Sequence, residues 1–280
     1  MIDPSELPIS RSSATHEAYS QASNPAFDAH LSARTAAREA AFFLPHLRPG
    51  MRLLDVGCGP GTITLGLAEV VAPGEVVGLD QRSEVLEQAR TTAAQRGVAN
   101  VRFETGSAYA LPFPDASFDA AFAHVILMHL REPARALVEM RRVLRPGGVV
   151  GVRDPDFGAV LVYPRTSLRE QFDTLRIRVR QHNGGDPFLG RTFRQLLLNA
   201  GFARTEAGAS EDYAGSLIET RRVAAFQTTL LQGIAGTALS QGWVDQETLN
   251  AMQADLALWA ERPDAFFTTV QCHAVGWVDA

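Results

Sequence analysis

The chain has 280 residues, 46% of them hydrophobic, with a net charge of −5 and a pI near 5.8. That is enough for one large core, or a core plus a small lobe. It disfavours a nucleic-acid partner, because an acidic surface gains nothing by releasing counterions from a phosphate backbone. All 26 cationic residues are arginine, which excludes lysine Schiff-base chemistry and the P-loop lysine. Cys58 and Cys272 are too few for a disulfide framework and suit a reducing compartment. No basic leader opens the sequence, and no run reaches the roughly 18 apolar residues of a membrane span. The expectation is a cytoplasmic protein with no membrane partner, as a monomer or a homodimer.

Residues 1–24 are polar, rich in Ser and Ala, and irregular or weakly helical in pattern. Pro25 to Leu47 reads as helical, with Phe27, Leu31, Ala37 and Phe42 among its apolar positions, and Pro49-Gly50 stops it. Strand-like runs follow at 52–56, 75–80, 101–105, 118–124 and 149–153, separated by helical stretches at about 61–71, 83–96 and 133–144. Gly97 ends the second of those helices and the turn Pro146-Gly147-Gly148 follows the third. Short apolar strands alternating with helices predict an α/β fold with a doubly wound parallel sheet, buried on both faces. Beyond residue 154 the rhythm changes. Helices are expected at about 165–182 and 188–199, a strand near 202–210, helices at about 215–240 and 245–261, and a long strand over 265–278. The division expected is an N-terminal helical lid over 1–48 and a ligand-binding domain over 49–280. Helical cap elements at about 160–200 and 215–262 would cover the ligand edge.

The strongest local signal is LLDVGCGPG, residues 53–61. A buried strand ends in Asp55, and Gly57, Gly59 and Gly61 lead into a helix, letting a ligand lie against bare backbone. A dinucleotide fingerprint would place its third glycine at position 62, where this chain has Thr62. Pro60 also removes an N–H from any phosphate cradle, and Asp55 would repel a pyrophosphate. A cationic ligand bearing an amino group suits this loop better, and S-adenosylmethionine, a sulfonium with an ammonium and no phosphate, is one. Asp80 ends the second strand, where an acid accepts hydrogen bonds from ribose hydroxyls.

Taken together, LLDVGCGPGT (53–62), GLD (78–80), GSAYALPFPDASFD (106–119), HVILMHL (124–130) and RRVLRPGG (141–148) resemble the class I S-adenosylmethionine-dependent methyltransferases. The likeness is to the methyltransferase type 11 group, in the branch that includes the quinone-biosynthesis C-methyltransferases. It implies seven strands in the order 3-2-1-4-5-7-6 with the last antiparallel, the run 265–278 being that strand. It implies S-adenosylmethionine as cofactor, with Arg34, Asp55, Gly57, Gly59, Gly61, Asp80, Gln81, Ser107, Ala108 and His124 around it. Where the family commonly has an Asp that accepts from the adenine amino group, this chain has Ser107, a weaker neutral acceptor. The backbone near Ala108 is the alternative holder of the adenine.

Methyl transfer needs alignment, exclusion of water and, for some acceptors, removal of a proton. His124 closes the fourth strand and is the first candidate for a general base or substrate contact; equally, its ring bonds a neighbour and only its backbone lines the pocket. His129 reads as structural. Arg34, in the run ARTAAR, would grip the cofactor carboxylate or be a surface arginine, and Tyr19 would reach it from the lid. Asp154-Pro155-Asp156 is a polar loop more readily than a cation site, so no metal is expected. Tyr163, Arg178 and His182 are the candidate substrate contacts, with Gly184-Gly185 as a flexible turn. Arg176, Arg178 and Arg180 are equally consistent with a solvated helix face. Phe188, Phe226, Trp243 and Trp259 are core by default, with room for one or two to wall a pocket.

The leading expectation is a methyltransferase acting on a small molecule of quinone, polyketide or other secondary-metabolite type. The alternative keeps the fold and the cofactor but performs a cyclisation or rearrangement. An RNA or protein acceptor would need a basic groove or a peptide channel, and the sequence advertises neither.

Overall fold

A computed structural model describes residues 31–279. Tyr19, most of the 1–48 lid and residues 25–30 of the first expected helix lie outside the described residues. Over 31–47 the continuous helix expected from periodicity is not seen. A short helix α1 (Ala36–Glu39) is followed by turns and a 3₁₀ turn at Leu44–His46. Adjacent aromatics explain this: Phe43 packs on Phe122 (centroids 5.6 Å apart) while Phe42 stacks on His273 (4.3 Å). Two neighbouring residues that both turn inward do not share one helix stripe.

From there the alternation expected over 50–155 is present: β1 (Leu53–Val56), α2 (Thr62–Val71), β2 (Val76–Asp80), α3 (Ser83–Arg96), β3 (Val101–Thr105), β4 (Phe118–His124), α4 (Pro133–Val143) and β5 (Leu144–Tyr163). The chain continues through α5 (Ser167–His182), α6 (Phe193–Asn199), β6 (Arg204–Ala214), α7 (Leu217–Ser240), α8 (Gln246–Ala260) and β7 (Phe266–Trp277). The seven strands form one sheet in the order β3-β2-β1-β4-β5-β7-β6. β7 runs antiparallel to both β5 and β6, and the other pairings are parallel.

Strand alternation sorts the core onto two faces. Leu54, Val56, Val77, Leu79 and Ala121 pack against α4 and α6 on one side, and Leu53, Val76, Ala120 and Phe122 against α2 and the 36–47 segment on the other. The helices α5, α7 and α8 have a core of their own, built from Phe172, Leu175, Val179, Leu231, Ile234 and Met252, into which Leu31 also packs. The cap helices begin on explicit signals: Thr166 caps α5, Ser216 and Glu219 form a capping box on α7, and Asp245 caps α8.

The largest departure from expectation is β5, which runs 20 residues instead of five. It accommodates Pro and Gly through two irregularities. Leu144 pairs with Phe118 but Val149 with Ala120, so Arg145–Gly148 bulge out, with Gly147 at φ +73°. A second irregularity lies between Pro155 and Val160 against β7. Bulges re-aim side chains near sites, and this one brings Phe157 to the cavity described next.

Candidate functional site

The site gathers at the carboxyl ends of the parallel strands, where open α/β sheets bind ligands. Leaving β1, the chain turns so that the N–H groups of Gly57 and Cys58 both donate to Leu79 O of β2, at 2.7 and 3.0 Å. Gly57, Gly59 and Gly61 sit at φ +75°, +53° and +76°, a region costly to residues with a Cβ. Gly61 is also the N-cap of α2, and a Cβ there would meet the Phe103 ring at 2.9 Å. Gly57 and Gly59 line the cavity; Gly61 instead serves helix–sheet packing.

Two acids flank this loop. Asp80 accepts the N–H of Gly59 and of Arg82, each at 3.0 Å, which uses two of about four acceptor positions on the carboxylate. Asp55 accepts the Thr64 hydroxyl at 2.6 Å. Burial, with the charge of Asp80 adding to it, raises the Asp55 carboxyl to about 7. Both acids line one cavity of about 920 Å³, and among the described residues no cation bridges to Asp55. A buried acid lacking a countercharge fits a ligand that brings an ammonium.

Arg34, Gln81, Ser107, Ala108 and His124 line the same cavity. The Ser107 hydroxyl accepts the Tyr109 N–H at 3.2 Å, closing a local turn. His124 Nε2 lies 2.9 Å from Arg153 Nη1 and 3.3 Å from Glu39 Oε2, and Arg153 bridges to Glu39. A guanidinium only donates, so Nε2 accepts and the ring is the neutral Nδ1–H tautomer. Burial drives the His124 pKa down to about 4, and the nearby arginine charges add to this. Burial alone would raise Glu39, but the charge of Arg153 outweighs it and holds the carboxyl low. Val125, next in the chain, is held at φ +53°, a strained conformation for a β-branched residue, with its N–H on Arg153 O.

Residues 47–186 match the family described as a methyltransferase domain, half of the chain. The chain belongs to the methyltransferase-domain family. The acids facing the cavity suit a cationic methyl donor. The uncharacterized methyltransferase C1B3.06c of Schizosaccharomyces pombe is 37% identical over 173 residues, covering 60% of this chain and 62% of that protein. The chain thus spans less than two thirds of that relative's length. The probable methyltransferase ltbC of Aspergillus luteorubrus is 30% identical over 268 residues, covering 87% of this chain and 91% of that protein. The crystal structure of the YcgJ protein from Bacillus subtilis superposes with a TM-score of 0.57 at 20% identity, covering 87% of this chain and 99% of that one. It shares the fold.

Beyond the methyltransferase loop, the cavity continues under the cap. Pro155, Phe157 and Val160 of β5, Phe226 of α7 and Phe267 of β7 form its apolar walls, and Arg176 and Arg180 of α5 enter it. Tyr163, Arg178 and His182, expected as substrate contacts, do not line this cavity. Tyr163 is 59% exposed at the far end of β5, with its carbonyl accepting from Trp259 Nε1. Arg178 is exposed and lies over the Trp243 ring at 4.3 Å, and His182 meets that ring edge-on. The reason is helical phase. At 3.6 residues per turn Arg178 points about 160° away from Arg176. The signal available in the sequence was that Arg176 and Arg180 fall on the stripe of Phe172, Leu175 and Val179, the face that packs inward.

Asp156 is committed to Arg191, with two contacts of 2.6 Å, and to the Gly158 N–H. Asp154 is buried, accepts the Met128 N–H at 3.0 Å, and is raised to about 8 by burial. His129 Nδ1 contacts Arg180, and burial together with that charge pushes its pKa well below the usual value. No helix of the described residues is long and apolar enough to cross a membrane.

Proposed function

We propose that the protein transfers the methyl group of S-adenosylmethionine to a small organic acceptor of quinone, polyketide or other secondary-metabolite type. The observation that supports this best is the single cavity: it runs from the glycine loop to an aromatic-walled chamber under α5 and α7, and its volume of about 920 Å³ suits small ligands. When bound, the cofactor supplies an electrophilic methyl on a sulfonium, so the chain has only to align the partners and keep water out.

In this reading Asp55 takes the ammonium, Asp80 the ribose hydroxyls, Arg34 the carboxylate, and Ser107 with the Ala108 backbone the adenine. Gly57, Gly59 and Gln81 line the path between them. The 31–39 segment and the α5–α7 cap exclude water from the reacting centre. His124 holds Arg153 in place and walls the chamber; with Nε2 already accepting from Arg153, it is not the proton acceptor.

The test is turnover with a pooled set of small phenols, quinols and β-dicarbonyl compounds beside RNA and peptide acceptors. Products heavier by one methyl group among the small acceptors alone support the proposal. Methylation of the polymers alone, or an acceptor converted without added mass, would refute it.

A further inference from the structure

We infer that the acceptor is an aromatic acid, a flat apolar body carrying one negative charge that is held by Arg176 with Arg180 beside it. The inference rests on the methyl-transfer reading above and deepens it by naming the acceptor's chemistry.

Arg169, Arg176 and Arg180 lie at i, i+7 and i+11 of α5, within about 40° of one another around the helix. That face is turned inward, and Arg169 and Arg180 are among the buried residues of the chain. Asp173 is shared between two of these arginines: Oδ2 lies 3.4 Å from Arg169 Nε, and Oδ1 lies 3.5 Å from Arg176 Nη1. The latter is beyond good hydrogen-bonding distance, and Asp173 Oδ1 makes no hydrogen bond. Arg169 also donates to Gln227, and its Nη2 is buried without a hydrogen-bond partner. What Arg176 has besides its distant half of a carboxylate is the faces of Phe157 at 4.3 Å and Phe172 at 5.4 Å.

Burial lowers the Arg176 guanidinium to about 10, which leaves it cationic at neutral pH. A buried charge held by ring faces and a shared carboxylate is costly, and an anion in the cavity would complete its pairing. Of the other acids lining the cavity, Glu39 is engaged with Arg153, Asp212 with Arg38, and Glu219 in the capping box of α7, while Glu211 lies on the β6 side of it. Asp154 behind Arg180 is raised to about 8 and is mostly neutral at pH 7.

The rest of the chamber describes the acceptor's body. Phe157, Val160, Phe226 and Phe267 leave space for stacked aromatic carbon. Gln271, 7% exposed, lines the cavity with an Oε1 that has no hydrogen-bond partner. A hydroxyl or N–H donor on the ring would satisfy it.

The experiment is calorimetric titration of the protein, saturated with S-adenosylhomocysteine, with one- to three-ring aromatic carboxylates and the methyl ester of each. At least one acid should bind about tenfold or more tightly than its ester, the value of a charge-assisted contact, and Arg176→Gln should reduce the acid to its ester's affinity. Esters that equal or exceed their acids throughout, or no binding of either series, would overturn the inference. So would an acid preference that survives Arg176→Gln. If that variant does not fold, the comparison of acids with esters in the unaltered protein decides. Failure to bind S-adenosylhomocysteine in the first step would instead overturn the reading beneath it.

Discussion

Arg153 Nη1 lies 2.9 Å from His124 Nε2, so a group that can only donate occupies the imidazole lone pair it faces. The pair joins the end of β4 to the middle of β5, where the two residues are partners in register, and Glu39 of α1 closes it from above through Arg153.

This arrangement predicts a mild phenotype for His124→Asn. Loss of a general base costs about 10²–10⁴ in rate. Here the expected fall in kcat is under about tenfold, and the pH–rate profile between pH 6 and 9 should keep its shape. A fall of 10²-fold or more, with loss of the acidic limb, would make His124 the base after all.

Asp55 should couple cofactor binding to pH. Burial raises its carboxyl to about 7, and an ammonium against it favours the ionised form, so binding releases a proton. S-adenosylhomocysteine affinity should therefore rise from pH 6 to about pH 7.5 and then level off, with proton release visible as a buffer-dependent heat. Asp55→Asn should bind more weakly and lose both dependences.

The adenine end offers an opposite change. Ser107 is exposed to the cavity and its hydroxyl already accepts the Tyr109 N–H at 3.2 Å. Ser107→Asp retains an acceptor there and adds a charged one for the adenine amino group. S-adenosylhomocysteine should bind up to about tenfold more tightly. Weaker binding in a folded variant would mean that the backbone near Ala108 reads the adenine by itself.

Asp154 should make the fold less stable as pH rises. Its carboxyl is about 8 in the fold against 3.8 in the open chain, so the unfolded chain gives up the proton first. The penalty is absent below about pH 4 and grows until about pH 8. The melting temperature of Asp154→Asn should accordingly gain on the unaltered protein between pH 5 and 8.5. A constant difference across that range would contradict the burial argument.

The glycine loop and the acids at or near the ends of β1 and β2 were legible because each rests on local rules, φ > 0 and strand position, whereas the strand order came only from the resemblance to a known family. The 20-residue β5 was not legible, because Asp154-Pro155-Asp156 read as a polar loop where the rhythm changes, whereas pairing with β7 absorbs the irregularity between Pro155 and Val160. The lining of the chamber under the cap was not legible for a related reason. The polar residues of 163–182 suggested contacts at Tyr163, Arg178 and His182, but only the packing of α5 against α7 and α8 shows which face turns inward. Arg176 and Arg180 are on it. The Glu39–Arg153–His124 cluster joins residues 114 and 29 positions apart, a juxtaposition no local pattern encodes.

The most direct test of methyl transfer to a small acceptor uses S-adenosylmethionine carrying a deuterated methyl group, with the aromatic acids and phenols above as acceptors and mass spectrometry as readout. The account predicts a low-molecular-weight product carrying the intact labelled methyl, formed one-for-one with S-adenosylhomocysteine. An acceptor transformed without the label, or label recovered only on protein or RNA, would contradict it.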